Sequence, residues 1–187
     1  MGYKQYAKDY EIEYVDRPGK KRAKAVRIYV GPYYRFSASA ERMHRVKWLY
    51  LAGLLSLGLF LLLPLCVNGV LARTWYVQVP LAAAWIPWVL AAASVWRLWT
   101  AKELVEREHH DLMGSRMSGA SLFLLMLSAV SAVGAIVTVG GIAAAREDWL
   151  VLCCAVCATA CSAMLFFRRK DLHMTEVENP EKPQTKK

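Results

Sequence analysis

Long apolar runs alternate with charged segments along this chain. Four runs, at residues 48–67, 75–96, 122–145 and 149–167, contain no Asp, Glu, Lys, Arg or His. A membrane-spanning helix needs about 20 apolar residues, because a rise of about 1.5 Å per residue must cover roughly 30 Å of hydrocarbon. Helices are expected because each unpaired backbone group in lipid would cost several kcal/mol. The pattern predicts an all-α membrane protein, a four-transmembrane-helix bundle.

The basic residues predict how the chain is threaded. Lys and Arg number 12 in residues 1–47, four in 97–121 and six in 168–187, which leaves only Arg73 and Arg146 for the other two loops. Because cytoplasmic loops carry the excess of Lys and Arg, we expect both termini and the central loop 97–121 to be cytoplasmic. The net charge of +9 follows mostly from this bias, so nucleic acid is not an expected partner.

Composition excludes several classes of protein. Hydrophobic residues make up 56% of the chain and charged residues 21%, against about half and a quarter in soluble domains. The excess excludes a secreted disulfide-rich domain, a disordered chain and a soluble enzyme with a large polar cleft. No charged side chain lies within a predicted span, which disfavours proton-coupled transport. Nothing in the composition calls for a cofactor.

The N-terminal segment, residues 1–47, predicts a short cytoplasmic β-hairpin over about 10–30. Tyr10–Val15 and Val26–Val30 alternate apolar and polar residues, and Pro18-Gly19 between them suits a type II turn. A turn centred there pairs Glu13 with Lys24. Tyr33–Phe36 is interpreted as an aromatic anchor at the membrane surface, and Ser37 or Ser39 as the cap of span one. The basic residues expected to contact anionic lipid or a partner are Lys20, Lys21, Arg22, Lys24 and Arg27.

The other two cytoplasmic segments are expected to differ in order. Lys102/Glu106 and Glu103/Arg107 are four residues apart, so we expect the second helix to extend into the loop 97–121 and to turn back near 111–118. The tail 168–187 is predicted to be disordered. Glu106 and His109 have the Glu-x-x-His spacing of carboxylate metal sites, which makes Glu106, His109 and His110 candidate metal ligands. A solvated, salt-bridged helical turn is the competing interpretation.

Five cysteines suggest a second chemistry. Four of them, Cys153, Cys154, Cys157 and Cys161, lie in the fourth apolar run, and Cys66 lies near the end of the first. The Cys154-x-x-Cys157 pair within four predicted spans resembles, in outline, thiol oxidoreductases of the vitamin K epoxide reductase type. That resemblance implies Cys154 and Cys157 as a redox pair. Cys66 is expected near them, because it lies near the outer end of the first span. Close helix packing by small residues is the alternative, since Ala155, Ala158 and Ala163 surround them.

Small residues and prolines predict how the helices pack. A helix-spaced stripe in the third run consists of Ser131, Gly134, Thr138, Gly141 and Ala145. Because a loop of only three residues, 146–148, joins the third and fourth spans, we expect these to be antiparallel neighbours whose small faces meet. Pro80 and Pro87 are expected to kink the second span.

Two stretches carry a family resemblance. Residues 35–42, RFSASAER, and residues 73–77, RTWYV, resemble segments of small four-span membrane proteins of Gram-positive anaerobic bacteria. The resemblance implies a bacterial plasma membrane and no particular activity.

Three functions are therefore open. The first hypothesis is a non-enzymatic accessory or oligomeric subunit of a membrane complex, with a protein partner or further copies of itself. The second is an outer-face thiol oxidoreductase that uses Cys154 and Cys157. The third is a small channel or transporter built around the kinked second span.

Overall fold

The fold is based on four long helical segments. The structure, a computed structural model, describes residues 6–15, 24–101, 104–141 and 143–177. Four segments are long and apolar enough to cross a membrane, and we call them spans one to four: Ala40–Cys66, Trp75–Thr100, Arg107–Gly141 and Arg146–Leu172. The prediction of a multi-pass membrane protein is confirmed to this extent.

The described helices and strands follow a simple order. The helices are α1 (Ala40–Leu62), α2 (Val70–Arg73), α3 (Trp75–Ala83), α4 (Trp85–Thr100), α5 (Arg107–Gly141) and α6 (Arg146–Phe167). The strands are β1 (Tyr10–Val15), β2 (Lys24–Tyr29), β3 (Tyr33–Phe36), β4 (Leu104–Glu106) and β5 (Met174–Val177). All five strands lie at one end of the bundle, which we call the strand end. The opposite end, which carries residues 67–74 and 143–148, is the loop end.

Span two is interrupted between its two prolines, as predicted. Helix α3 ends at Ala83 and α4 begins at Trp85, so the break falls at Ala84. Proline has no N–H, and its ring crowds the preceding turn. Just after the break, the Trp88 indole donates a hydrogen bond to the Leu54 carbonyl of α1 at 3.0 Å. The interruption thus places a polar contact between spans one and two.

The small-residue stripe packs on span two, and our expectation that it meets span four was wrong. Ser131 donates a hydrogen bond to the Val77 carbonyl of α3 at 2.9 Å. A Cβ at Gly134 would come within 3.0 Å of the Tyr76 ring, and the Tyr76 and Thr138 hydroxyls lie 2.8 Å apart. The remaining two stripe residues lie elsewhere, because Gly141 ends α5 with open space around it and Ala145 precedes α6. Span four is nevertheless packed along span three.

The N-terminal hairpin is present with a register shifted from the expected one. Strands β1 and β2 are antiparallel, and Glu13 is opposite Val26 rather than Lys24. The shift is two residues, so each side chain keeps the face that the alternating pattern predicts. The turn predicted at Pro18-Gly19 lies outside the described residues.

A three-stranded sheet is formed by three segments for which the sequence predicted other structures. Strand β3 is central, with β4 on one side and β5 on the other, both antiparallel to it. Tyr33–Phe36 therefore forms a sheet strand, which the sequence did not predict, and its expected position at the membrane surface stays a prediction. The tail is not disordered up to Val177, because a 3-10 turn leads into β5. The second span does not continue as a helix through the central loop, since α4 ends at Thr100 and β4 follows. The predicted Lys102 and Glu103 pairs involve residues outside those described.

A buried carboxylate joins two segments at the loop end. Asp148 is only 1% exposed. One oxygen accepts a hydrogen bond from the Leu71 amide of α2 at 2.9 Å, and the other accepts from the Ala145 amide at 3.2 Å. The carboxylate thus satisfies two amides that no helix carbonyl reaches.

Candidate functional site

The hairpin is held against the start of span three by tyrosine hydroxyls. Tyr10 donates a hydrogen bond to a Glu106 carboxylate oxygen at 2.7 Å, and Tyr6 donates to Asp111 at 3.0 Å. Hydrogen bonds to a charged partner are stronger than neutral ones. These bonds link positions 96 and 105 residues apart along the chain. We call Tyr6, Tyr10, Tyr29, Glu106 and Asp111 the docking contact.

Tyr29 makes the third part of the docking contact from β2. Its hydroxyl donates to the Pro32 carbonyl at 2.8 Å and accepts from the Arg107 amide at 2.9 Å. The ring is 7% exposed and packs edge-on against Tyr10 and Tyr33, with centroids 5.2 and 5.0 Å away. One hydroxyl therefore ties the hairpin to the first residue of α5, where a helix amide has no carbonyl of its own.

A tight turn brings Tyr29 into this position. A Cβ at Gly31 would lie 2.6 Å from the Tyr29 hydroxyl oxygen and 2.9 Å from Cβ of Asp9. Only glycine leaves room for the ring to fold back over the turn. The Asp9 carbonyl also accepts the Val30 amide at 2.8 Å, which closes the end of the hairpin.

The electrostatics of the docking contact favour neutral tyrosines. Burial, followed by the hydrogen bond to Glu106, raises the pKa of Tyr10 well above its ordinary value. Burial and the bond to Asp111 raise the pKa of Tyr6. Burial also raises the pKa of Tyr29, against the opposing effect of the Arg107 amide. The hydroxyls thus remain donors to the two carboxylates.

Asp111 connects the docking contact to the three-stranded sheet. Its second oxygen lies 3.1 Å from Nδ1 of His110. The His110 ring stacks on Tyr34 of β3, with centroids 4.2 Å apart and planes inclined by 12°. The hairpin, the sheet and the start of span three therefore form one continuous set of contacts.

The candidate metal ligands do not converge. Glu106 ends β4, and the helix begins one residue later, so Glu106 and His109 do not share a helical face. Glu106 bonds Tyr10, and His110 faces Asp111 and Tyr34. His109 is exposed and lines, together with Glu106 and Arg97, a cavity of about 220 Å³ that His110 does not line. Among the residues that the structure describes, no three His, Cys, Asp or Glu side chains form a group that could hold a metal ion.

The cysteines are spread over different environments. All five are free thiols; Cys154 is buried, Cys157 is half-buried, and Cys66 is exposed. The thiolate is the reactive form, and an apolar surrounding disfavours it. The thiol oxidoreductase and the channel therefore stay hypotheses, to which the described geometry adds no site.

The basic residues expected at the membrane surface are only partly described. Lys20, Lys21 and Arg22 lie outside the described residues. Lys24 begins β2, and Arg27 is exposed on β2 opposite Ile12. Their contact with lipid or a partner stays a prediction.

The residues of the docking contact other than Glu106 belong to no functional motif in the sequence. One signal was available, because seven of the nine tyrosines fall within the first 34 residues. Such a concentration of amphipathic rings indicates a packed contact whose hydroxyls need partners. The spacing alone could not name those partners, since Glu106 and Asp111 follow two spans later.

Comparisons with known proteins give no family for this chain, and the resemblance to four-span proteins of Gram-positive anaerobes stays a prediction. No protein-family model, curated protein or solved structure matches it.

Proposed function

We propose that this chain is a non-enzymatic accessory subunit of a membrane complex, with both termini and all five strands in the cytoplasm. The positive-inside distribution supports this orientation, because 22 of the 24 Lys and Arg residues belong to the sequence segments 1–47, 97–121 and 168–187. The strand end is then the part of the protein that a cytoplasmic or membrane partner meets.

One observation supports the accessory role most directly. Three segments that are separated by pairs of spans combine at the strand end into one module, formed by the hairpin and the three-stranded sheet. The docking contact fixes the hairpin to the end of β4 and to the start of α5. A two-stranded hairpin is marginal alone in water, so holding it in a defined position indicates that its outer surface is used.

The module presents a surface that is suited to binding another protein. Ile12 is 58% exposed on β1, with Glu11 and Arg27 exposed beside it. Strands β4 and β5 are the edges of their sheet, and an edge strand presents unpaired backbone groups to another chain. An exposed apolar residue opposite a charged one, and open sheet edges, are each typical of a contact surface rather than of a catalytic cleft.

The test compares two variants that each lose one tyrosine hydroxyl. Tyr10→Phe removes the bond to Glu106 at the strand end, and Tyr76→Phe removes the bond to Thr138 at the loop end. The tagged wild type and both variants are purified from native membranes in mild detergent, and retained proteins are quantified by mass spectrometry. We expect a stoichiometric partner with the wild type and Tyr76→Phe, and several-fold less with Tyr10→Phe.

Other outcomes would contradict the proposal. Recovery of the protein alone, as a monomer or a homo-oligomer, would remove the accessory role. Equal losses in both variants, at matched expression, would place the partner surface elsewhere than on the module.

A further inference from the structure

A groove lies where the three-stranded sheet meets the first turns of span one. Its volume is about 370 Å³, which is within the range of small-ligand sites. The lining comes from β3, the start of α1 and the end of span two: Arg35, Phe36, Ala38, Ala40, Met43, His44, Lys47 and Ala101. Among these described lining residues, three have basic side chains (Arg35, His44 and Lys47), and none has a carboxylate.

The groove lies at the level of the membrane surface. Trp48, one residue after Lys47, begins the charge-free run of span one, and its ring packs edge-on against Trp99 at 5.2 Å. Tryptophan concentrates at the headgroup level of a bilayer. Lys47 reaches the Trp99 carbonyl at 3.5 Å, so its ammonium is held at the same level.

Several hydrogen-bond donors line one region of the groove. Lys47 and His44 are one turn apart on α1, and Arg35 extends from the neighbouring strand. The Trp48 indole donates to Nε2 of His44 at 3.0 Å, so a neutral His44 ring carries its proton on Nδ1 and can donate there. Ala38 and Ala40 flank Ser39, the N-cap of the 23-residue helix α1, whose first amides carry partial positive charge.

We propose that this groove binds the headgroup of an anionic phospholipid. The phosphate is bound by Lys47 and the start of α1, with Arg35 and His44 at the sides. Phe36, Met43 and the three alanines contact the glycerol and the first methylenes of the acyl chains. A soluble anion would leave the apolar part of the lining without a contact. A lipid presents a phosphate to the basic part and methylenes to the apolar part.

The test measures lipid binding by matched variants of one helix. Lys47→Gln removes a charge inside the groove, and Arg45→Gln removes one from an exposed residue of α1 that does not line it. Lys47→Arg keeps the charge. Purified protein in detergent is titrated with phosphatidylglycerol, and binding is followed by native mass spectrometry and by the thermal unfolding midpoint.

We expect saturable binding of phosphatidylglycerol by the wild type. Lys47→Gln is expected to weaken it about tenfold, the usual effect of losing a charge-assisted bond. Arg45→Gln and Lys47→Arg should stay within about twofold of the wild type. Adding Arg35→Gln to Lys47→Gln should abolish saturation, and elution volume on size exclusion checks that each variant is folded.

Three outcomes would overturn the proposal. Equal weakening by Arg45→Gln would mean general attraction to surface charge. Equal stabilisation by soluble glycerol phosphate would make the ligand a free phosphate compound. Equal affinity for phosphatidylcholine would mean that the groove does not select a net negative headgroup.

Discussion

At the scale of single residues, Asp148 is a carboxylate that the bundle encloses almost completely. Its two oxygens accept from the amides of Leu71 and Ala145, and it lies in the first turn of α6, where negative charge is favoured. Gly69 makes room for it, since a Cβ there would fall 2.5 Å from a carboxylate oxygen. The sequence placed Asp148 in a three-residue loop, because hydropathy cannot tell a solvated carboxylate from one that caps backbone amides.

We therefore expect Asp148→Asn to destabilise the protein. An amide offers one acceptor and one donor, so one of the two backbone N–H groups would face an NH₂ group instead of an oxygen. The expected loss is about 1 to 3 kcal/mol, measured as unfolding in mixed detergent micelles. Glu147→Gln, the same chemical change at the exposed neighbouring residue, should change stability by less than about 0.5 kcal/mol. A similar loss in both variants would contradict the capping role.

At the scale of elements, the four spans were predictable and the three-stranded sheet was not. A span is a local property, since about 20 consecutive residues carry the signal. Strand β4 is only three residues long, and Glu106 also fits a helical pattern of charges. Strand β3 is aromatic and follows Gly31-Pro32, which suits a membrane anchor equally well. Strand β3 pairs with strands about 70 and about 140 residues further along the chain, and such distant pairing leaves no mark in the individual segments.

The candidate site was predictable in the same uneven way. The hairpin follows from alternation within 20 residues, but its register depends on a turn that the pattern does not fix. The sequence indicated Glu106 as a metal ligand because its spacing to His109 can be read along the chain. Its hydrogen bond to Tyr10 depends on the fold and cannot be read there. Chemistry that depends on two distant segments meeting requires the fold first.

We expect truncation to show that β5 stabilises β3. Removing residues 174–187 deletes β5 and leaves β3 paired on one side only. Amide hydrogen exchange of peptides covering 33–36 should become about tenfold faster or more, because an edge strand opens at lower free energy. Removing only residues 178–187 is the matched control and should leave these amides unchanged. Slow exchange after both deletions would mean that β5 contributes little.

At the scale of the whole molecule, the sheet constrains how many times the chain crosses the membrane. Two spans separate β3 from β4, and two more separate β4 from β5. Strands can pair only when they lie on one side of the bilayer, so each interval requires an even number of crossings. The sheet and the hydropathy pattern thus support the same four spans by independent reasoning.

The proposed orientation predicts the behaviour of reporter fusions. A fluorescent protein that matures only in the cytoplasm, fused after Lys187, should fluoresce, whereas alkaline phosphatase at the same position should be inactive. The reverse is expected for fusions truncated at Arg73, in the loop after span one. The reason is that 22 of 24 basic residues belong to the sequence segments 1–47, 97–121 and 168–187. An active phosphatase at the C-terminus would contradict the orientation.

The position of β5 also fixes an order of events during synthesis. Strand β3 is translated before any span, but its second partner follows the last one, so the sheet cannot be completed until all four helices have entered the bilayer. Until then, one edge of β3 stays open. Completion of the sheet therefore marks chains whose insertion has finished, and a chain that misses one span leaves an unpaired strand that chaperones and proteases can recognise.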